Sequence, residues 1–151
     1  MDGNTKSALL RAANSTFESL GFLYPDEELS EAQAAASELE ASCRVRFRGP
    51  VSGALEVEVF GQVLGEFAAN MMGCAGPPAP EVCREALGEV ANVVCGNVLP
   101  ALSGTTAVFD LAAPETATQP MLVRPFAADT VASVVLGVGE GRVELALRRY
   151  E

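Results

Sequence analysis

Three polar side chains, Glu85, Glu89 and Asn92, recur at helical spacing in an otherwise apolar part of the chain. At about 3.6 residues per turn they share one stripe of a helix predicted from about Pro80 to Cys95. The other stripe is apolar and predicts a buried face, formed by Val82, Cys83, Ala86, Leu87, Val90, Val93 and Val94. A carboxylate and an amide one turn apart can together bind a partner and orient a water molecule.

Two glycines, Gly88 and Gly96, flank this pair, so little side-chain bulk opposes a close approach by another molecule. The same polar stripe would also suit the solvated face of an ordinary amphipathic helix. Glu85 and Glu89 repel each other by roughly 0.2–0.5 kcal/mol at this spacing. Glu85 is near the N-terminus of the predicted helix, where the helix dipole stabilises a negative charge and offsets part of that repulsion. Energetics alone therefore leave both interpretations open.

Composition excludes several kinds of chemistry. The sequence has no histidine, which removes Ser-His-Asp and Cys-His catalysis and any histidine-ligated metal. No C-x-x-C pair occurs among the four cysteines, Cys43, Cys74, Cys83 and Cys95, and we expect reduced thiols and no metal site. The net charge of −10 argues against nucleic acid and anionic membranes as partners. No export signal and no apolar run of about 20 residues is evident, which predicts a cytoplasmic protein.

The remaining pattern predicts one domain over residues 1–151, with an α+β fold in which helices pack on an antiparallel sheet. Apolar periodicity predicts helices at 5–20, 61–73 and 80–95, and strands at 43–48, 54–60, 105–111, 119–126, 130–138 and 142–150. We expect 119–126 to be an edge strand because it contains two prolines. Residues 22–40 read as loop or a short helix, and 96–100 as a bend or break.

The first two strands form a predicted hairpin with charged side chains on its outer face. In many registers the arginines of the first strand share that face with Glu56 and Glu58. Cross-strand charge pairs of this kind stabilise a sheet by roughly 0.2–1 kcal/mol each.

The polar stripe and the order of elements together resemble the CheC/CheX family of chemotaxis phosphatases, in its CheX-like branch. The family pattern is an acidic residue or serine, three residues, Glu, two residues, Asn, and a proline about 22 residues later. Here it reads Glu85-x3-Glu89-x2-Asn92, with Pro114 after 21 residues. Glu85 stands where serine or aspartate is usual, and Pro114 comes one residue early.

The resemblance implies a CheX-like two-layer or three-layer sandwich that removes the phosphoryl group from the aspartate of a CheY-like response regulator. It implies that Asn92 positions the attacking water and that Glu89 binds the lysine beside the receiver's phosphorylation site. Partner contacts are expected at Glu85, Gly88, Gly96 and Pro114. No cofactor of the protein's own is implied, because the receiver domain supplies Mg²⁺.

Two further roles stay open. The superfamily also contains a non-catalytic domain of a flagellar switch protein, so the alternative is a binding or scaffold module. Relatives pair through sheet edges, which makes a homodimer possible. Some members carry two sites. In the first helix here, Asn14 would need a glutamate three residues before it, but Arg11 stands there. Glu66 and Asn70 are four residues apart, which is the wrong spacing, so we expect one site in this chain and surface roles for Glu66 and Asn70.

Overall fold

Six strands form one antiparallel sheet in the computed structural model, which describes residues 3–21, 23–104, 106–122 and 129–150. The strands are β1 (Leu39–Arg48), β2 (Ser52–Phe60), β3 (Asp110–Leu111), β4 (Glu115–Ala117), β5 (Thr130–Val138) and β6 (Gly141–Tyr150). Their order is β3-β1-β2-β6-β5, and β4 also pairs with β1. The α+β class and both predicted hairpins are confirmed.

Five helices accompany this sheet in the described residues. They are α1 (Gly3–Gly21), α2 (Glu31–Ala35), α3 (Leu64–Met72), α4 (Pro80–Val98) and α5 (Pro100–Ser103). α1, α3 and α4 pack against one another, and α1 and α4 contact one face of the sheet. The core between them is formed by alternate strand residues such as Val45, Val57 and Leu145, as the period of two predicts. α2 lies on the other face, where Gln33 packs on Gly137 and the Arg142 side chain donates a hydrogen bond to the carbonyl of Gln33.

The end of α4 differs most clearly from the expectations, while α1 and α3 differ from theirs by one to three residues. Gly96 does not interrupt α4, which continues to Val98. The break comes at Leu99, which keeps helical φ and ψ angles, because Pro100 has no N–H to continue the hydrogen-bond ladder and instead begins α5. The uncertain region 22–40 contains the short α2, whose first turn is held by a capping box between Ser30 and Gln33.

The other face of the sheet is polar but largely closed to solvent. The predicted cross-strand pairing is confirmed for Arg44 and Glu56, with 2.7 Å from Nε to Oε2. Glu56 and Glu58 are nevertheless almost fully buried, at 0% and 1% exposure. The Glu58 carboxylate accepts hydrogen bonds from the backbone N–H groups of Met121 and Leu122, so the segment after β4 covers this face.

The strands between α5 and β5 were predicted less well. The first residue of the predicted strand 105–111 lies outside the described residues, and within 106–111 only Asp110–Leu111 is strand, because these two residues pair with the edge of β1, opposite Phe47 and Arg48. The structure instead has β4 at Glu115–Ala117, which was not predicted. Residues 119–122 are not strand, and the rest of the predicted 119–126 strand lies outside the described residues.

Candidate functional site

The polar stripe of α4 is exposed while the opposite side of the helix is buried. Pro80 occupies the first turn, where its missing N–H costs nothing. Val90 and Val94 have no solvent exposure, which anchors the helix in the core. The side chains of Glu85, Glu89 and Asn92 are all exposed.

A second segment lies beside this stripe. β4 pairs with β1, Thr116 standing opposite Cys43, and this pairing holds Pro114 and Thr116 next to α4. A Cβ atom added at Gly88 would lie 3.1 Å from the Cβ of Pro114 and 4.0 Å from the Cγ2 of Thr116. The absence of a side chain at Gly88 is therefore what permits this close contact.

These two segments form an open cavity of about 310 Å³. Its lining residues are Arg84, Glu85, Gly88, Glu89, Asn92, Pro114 and Thr116. Five of the six residues predicted for the site thus meet in one cavity. The sixth, Gly96, is exposed one turn beyond Asn92 with open space around it, and it does not line the cavity.

Sequence reasoning missed two lining residues, Arg84 and Thr116. Arg84 was detectable in principle, because it precedes Gly88 by one helical turn and so lies on the same side of α4. Thr116 gave no signal, since a three-residue edge strand has too few positions to show a period of two.

The polar side chains of the cavity are free to engage another molecule. Within the described part of the chain, no hydrogen bond or ion pair involves the side chains of Glu85, Glu89 or Asn92. The buried Glu56, by contrast, is bonded to two arginines, Arg44 and Arg148. Unpaired exposed groups that converge on one cavity can bind a charged ligand without first breaking internal bonds.

Cysteine chemistry does not contribute to this cavity. Cys95 lies on the buried side of α4, and burial raises the pKa of its thiol to about 12. Over the ranges that the structure describes, no group of three or more His, Cys, Asp or Glu side chains is placed to hold a metal ion.

Other polar positions that the sequence singled out have different surroundings. Glu66 is exposed, as expected for a surface residue. Asn70 is half-buried, and its amide donates a hydrogen bond to the carbonyl of Gly21 at the end of α1, so it is a structural residue and not a purely surface one. Arg11 is exposed on α1, and Asn14 is half-buried there.

A larger open cavity, of about 870 Å³, lies at the end of the sheet near the β1–β2 turn. Asp129 contributes a carboxylate to its lining, but both oxygens already accept hydrogen bonds from Arg148, at 2.9 and 3.0 Å. The carboxylate of Asp129 is therefore already bonded, unlike those of Glu85 and Glu89 in the smaller cavity.

By length and composition alone, the stretch Pro80–Ser103 could cross a membrane. Half of the most apolar part of this stretch is buried inside the fold, and the core helix of a globular protein can have the same length and composition. The apolar side of α4 is thus already accounted for by contacts with the sheet and with α1 and α3.

Comparison with known proteins identifies the fold and the family. The family described as chemotaxis phosphatase CheX matches residues 41–124, more than half of the chain and the part that contains α4 and β4. No curated protein is significantly similar.

Solved structures resemble the chain over nearly its full length. A chemotaxis protein CheX from Desulfovibrio desulfuricans has a TM-score of 0.73 at 15% identity, covering 97% of this chain and 99% of that one. The CheX of a CheX–CheY–BeF3–Mg²⁺ complex from Borrelia burgdorferi has a TM-score of 0.64 at 17% identity, covering 96% and 97%. A CheC-like superfamily protein from Shewanella has a TM-score of 0.69 at 19% identity, covering 100% of both chains. The family match and the shared fold lead to one conclusion: this chain belongs to the CheX family of chemotaxis phosphatases.

Proposed function

We propose that this protein hydrolyses the aspartyl phosphate of a CheY-like receiver domain, using the cavity between α4 and Pro114. The observation that carries the proposal is the exposed and unpaired state of Glu89 and Asn92, which line the same cavity. Family membership supports the reaction class, and a CheX–CheY complex among the structural neighbours supports the class of partner.

Asn92 positions the attacking water in this proposal. An acyl phosphate is already reactive, so the protein needs to supply orientation and electrostatic stabilisation and no covalent intermediate. The amide of Asn92 offers one acceptor for the water and two donors for a phosphoryl oxygen. A carboxylate at this position would repel the phosphoryl group.

Glu89 sets the register of the complex. The backbone of residue 89 lies about 4.5 Å along the helix axis from that of residue 92, close enough for both side chains to enter one pocket of the partner. A charge-assisted bond to the lysine beside the phosphorylation site would hold the receiver in place. Glu85, Gly88, Gly96 and Pro114 form the surrounding contact surface.

Mg²⁺ enters with the receiver. The described residues of this chain offer no metal cluster, whereas the Borrelia burgdorferi complex contains Mg²⁺ together with CheY. The ion would neutralise charge on the phosphoryl oxygens, and this chain's own residues would orient the water and bind the partner.

The decisive experiment measures the phosphate lifetime of receiver domains from the same organism. We expect the wild-type protein to shorten this lifetime on at least one receiver and Asn92→Ala to lose about 10²-fold of that effect. Asn97→Ala is the matched control, because Asn97 is exposed on the same helix but does not line the cavity. It should retain full activity.

Binding measurements separate the two proposed roles. Asn92→Ala should still bind the receiver, while Glu89→Gln should weaken binding and reduce turnover at low receiver concentration. If the wild type leaves the lifetime of every receiver unchanged but binds one tightly, the protein is a scaffold module and the phosphatase proposal is wrong.

We also expect a cytoplasmic protein that pairs with a second copy through a sheet edge. β5 is the last strand in the order, bonded to β6 on one side, and so forms an edge of the sheet, with an isolated bridge between Asp26 and Gly137 on its other side. Light scattering at several concentrations tests the dimer, and a monomer throughout would contradict it.

A further inference from the structure

Arg84 is a positively charged residue of the cavity, and the family pattern described above does not include it. It lines the cavity shared with Glu89 and Asn92, and it also borders a smaller cavity of about 200 Å³ beside Pro78 and Cys83. We infer that Arg84 binds the anionic oxygens at the receiver's phosphorylation site, an inference that rests on the proposed phosphatase function.

The guanidinium of Arg84 is available for such a contact. Over the residues that the structure describes, Arg84 forms no hydrogen bond or ion pair, although Glu81 and Glu85 are its neighbours on α4. Other arginines are engaged: Arg44 and Arg148 with Glu56, and Arg142 with Glu144. Arg84 is half-buried and lines the cavity.

The charges that meet at this site favour a cation on this chain, in addition to the Mg²⁺ and the lysine that the receiver brings. Glu85 and Glu89 bring two negative charges to the cavity, and an approaching aspartyl phosphate is itself anionic. Like charges at such distances repel unless a counter-charge lies between them. Arg84 is the one cation among the lining residues, all of which lie in the described part of the chain.

Helix geometry places the cation where an anion could reach it. Arg84, Gly88 and Asn92 follow one another at single-turn intervals, about 6 Å apart along the axis. Gly88, one turn from both Arg84 and Asn92, carries no side chain, and the ring of Pro114 packs on it in that place. Arginine presents a planar fork of donors that matches phosphoryl and carboxylate oxygens.

The test compares Arg84→Gln with Arg149→Gln, which removes the same charge from an exposed position at the far end of β6. We expect Arg84→Gln to raise KM for the phosphorylated receiver about tenfold, to change kcat little, and to reduce the dependence of KM on salt. Arg149→Gln should match the wild type. Arg84→Lys should recover part of the loss, since it restores the charge without the fork.

Two sources of anionic oxygen can be distinguished in an Asn92→Ala background, where the phosphoryl group persists. If Arg84→Gln weakens binding of the phosphorylated receiver alone, the phosphoryl oxygens are the ligand. If it weakens binding of both forms equally, carboxylates of the receiver are the ligand. Either result supports the inference.

The failures are also distinguishable. An active wild type with an unchanged KM for Arg84→Gln overturns the inference and leaves the phosphatase function intact. A wild type without activity on any receiver overturns both. Because Arg84 makes no bond within the described structure, Arg84→Gln should melt at the wild-type temperature, and a lower melting temperature would indicate a structural role instead.

Discussion

Gly88 packs directly on Pro114: a Cβ atom added at Gly88 would lie 3.1 Å from the Cβ and 3.4 Å from the Cγ of the proline ring. The two residues are 26 positions apart in the chain, and their contact closes one side of the cavity. The separation of α4 from the segment before β4 is therefore set by the smallest residue available.

Gly88→Leu should displace Pro114 and reduce phosphatase activity at least tenfold, because a branched side chain cannot fit where a single Cβ is already tight. Overpacking of this kind costs roughly 1–3 kcal/mol of unfolding free energy. Receiver phosphate lifetime and chemical denaturation would measure the two effects. Full activity in Gly88→Leu would show that the position of Pro114 is unimportant.

Alanine at the two glycines of α4 gives a matched comparison of stability. Gly96 has no heavy atom within 4 Å of its would-be Cβ, so Gly96→Ala should raise the free energy of unfolding by about 0.5–1 kcal/mol. Gly88→Ala should gain less, because the contact with Pro114 offsets the helix preference. Equal gains at both positions would contradict the packing described for Gly88.

Glu40 stabilises the start of a helix to which it does not belong. Its Oε2 accepts hydrogen bonds from the backbone N–H groups of Val63 and Leu64, at 2.6 and 3.0 Å, and α3 has no capping side chain of its own. Glu40→Ala should lower the free energy of unfolding by about 1–2 kcal/mol, whereas Glu38→Ala, the control, should change it little. Similar losses in both variants would argue against the capping role.

Asp129 should make stability depend on pH. Hydrogen bonds from Arg148 hold the pKa of its carboxyl below the ordinary value. A depressed pKa in the folded state stabilises the protein above the unfolded pKa of about 3.9, and this contribution disappears as pH falls through the folded value. Asp129→Asn should therefore be less stable than the wild type at pH 7, with a difference that shrinks below about pH 4.

The control for that experiment is Asp110→Asn, at an exposed aspartate with no bonded partner among the described residues. Its unfolding free energy should follow the wild type across the same range. A difference for Asp129→Asn that persists unchanged at the lowest pH would indicate a packing effect and not a charge effect.

One thiol should react much faster than the others. Cys74 is exposed, whereas burial raises the pKa of Cys43 and Cys95 to about 12 and also raises the pKa of Cys83. Because the thiolate is the reactive form, a disulfide reagent at pH 8 should label one site in the native protein and four after unfolding. Cys74→Ser should remove the fast phase, and two fast thiols would contradict this assignment.

The long elements were predictable because their burial is periodic. The inward residues of α1, such as Leu9, Ala13 and Phe17, are buried as expected, and so are Leu87 and Val90 on α4. Amphipathic periods of this length follow from the one-sided packing of a helix on a sheet. The polar stripe of the site was found for the same reason, as the complement of a buried stripe.

The short edge strands and the covered polar face were not predictable in this way. β4 has three residues and exists because β1 offers it an edge, which is a tertiary and not a local cause. The burial of Glu56 and Glu58 depends on arginines and on backbone N–H groups far along the chain, including those of Met121 and Leu122. From the sequence alone, Glu56 and Glu58 are carboxylates on the outer face of a strand, and such side chains are expected to be solvated.

The two walls of the cavity have independent supports. α4 is anchored through its buried side in the core, and Pro114 and Thr116 are held by the pairing of β4 with β1. Substitutions in the 112–117 segment can therefore reshape the entrance without displacing Glu89 or Asn92. The receiver contacts expected at Pro114 and Thr116 could therefore be re-engineered while the position of Asn92, and with it the rate of the chemical step, is conserved.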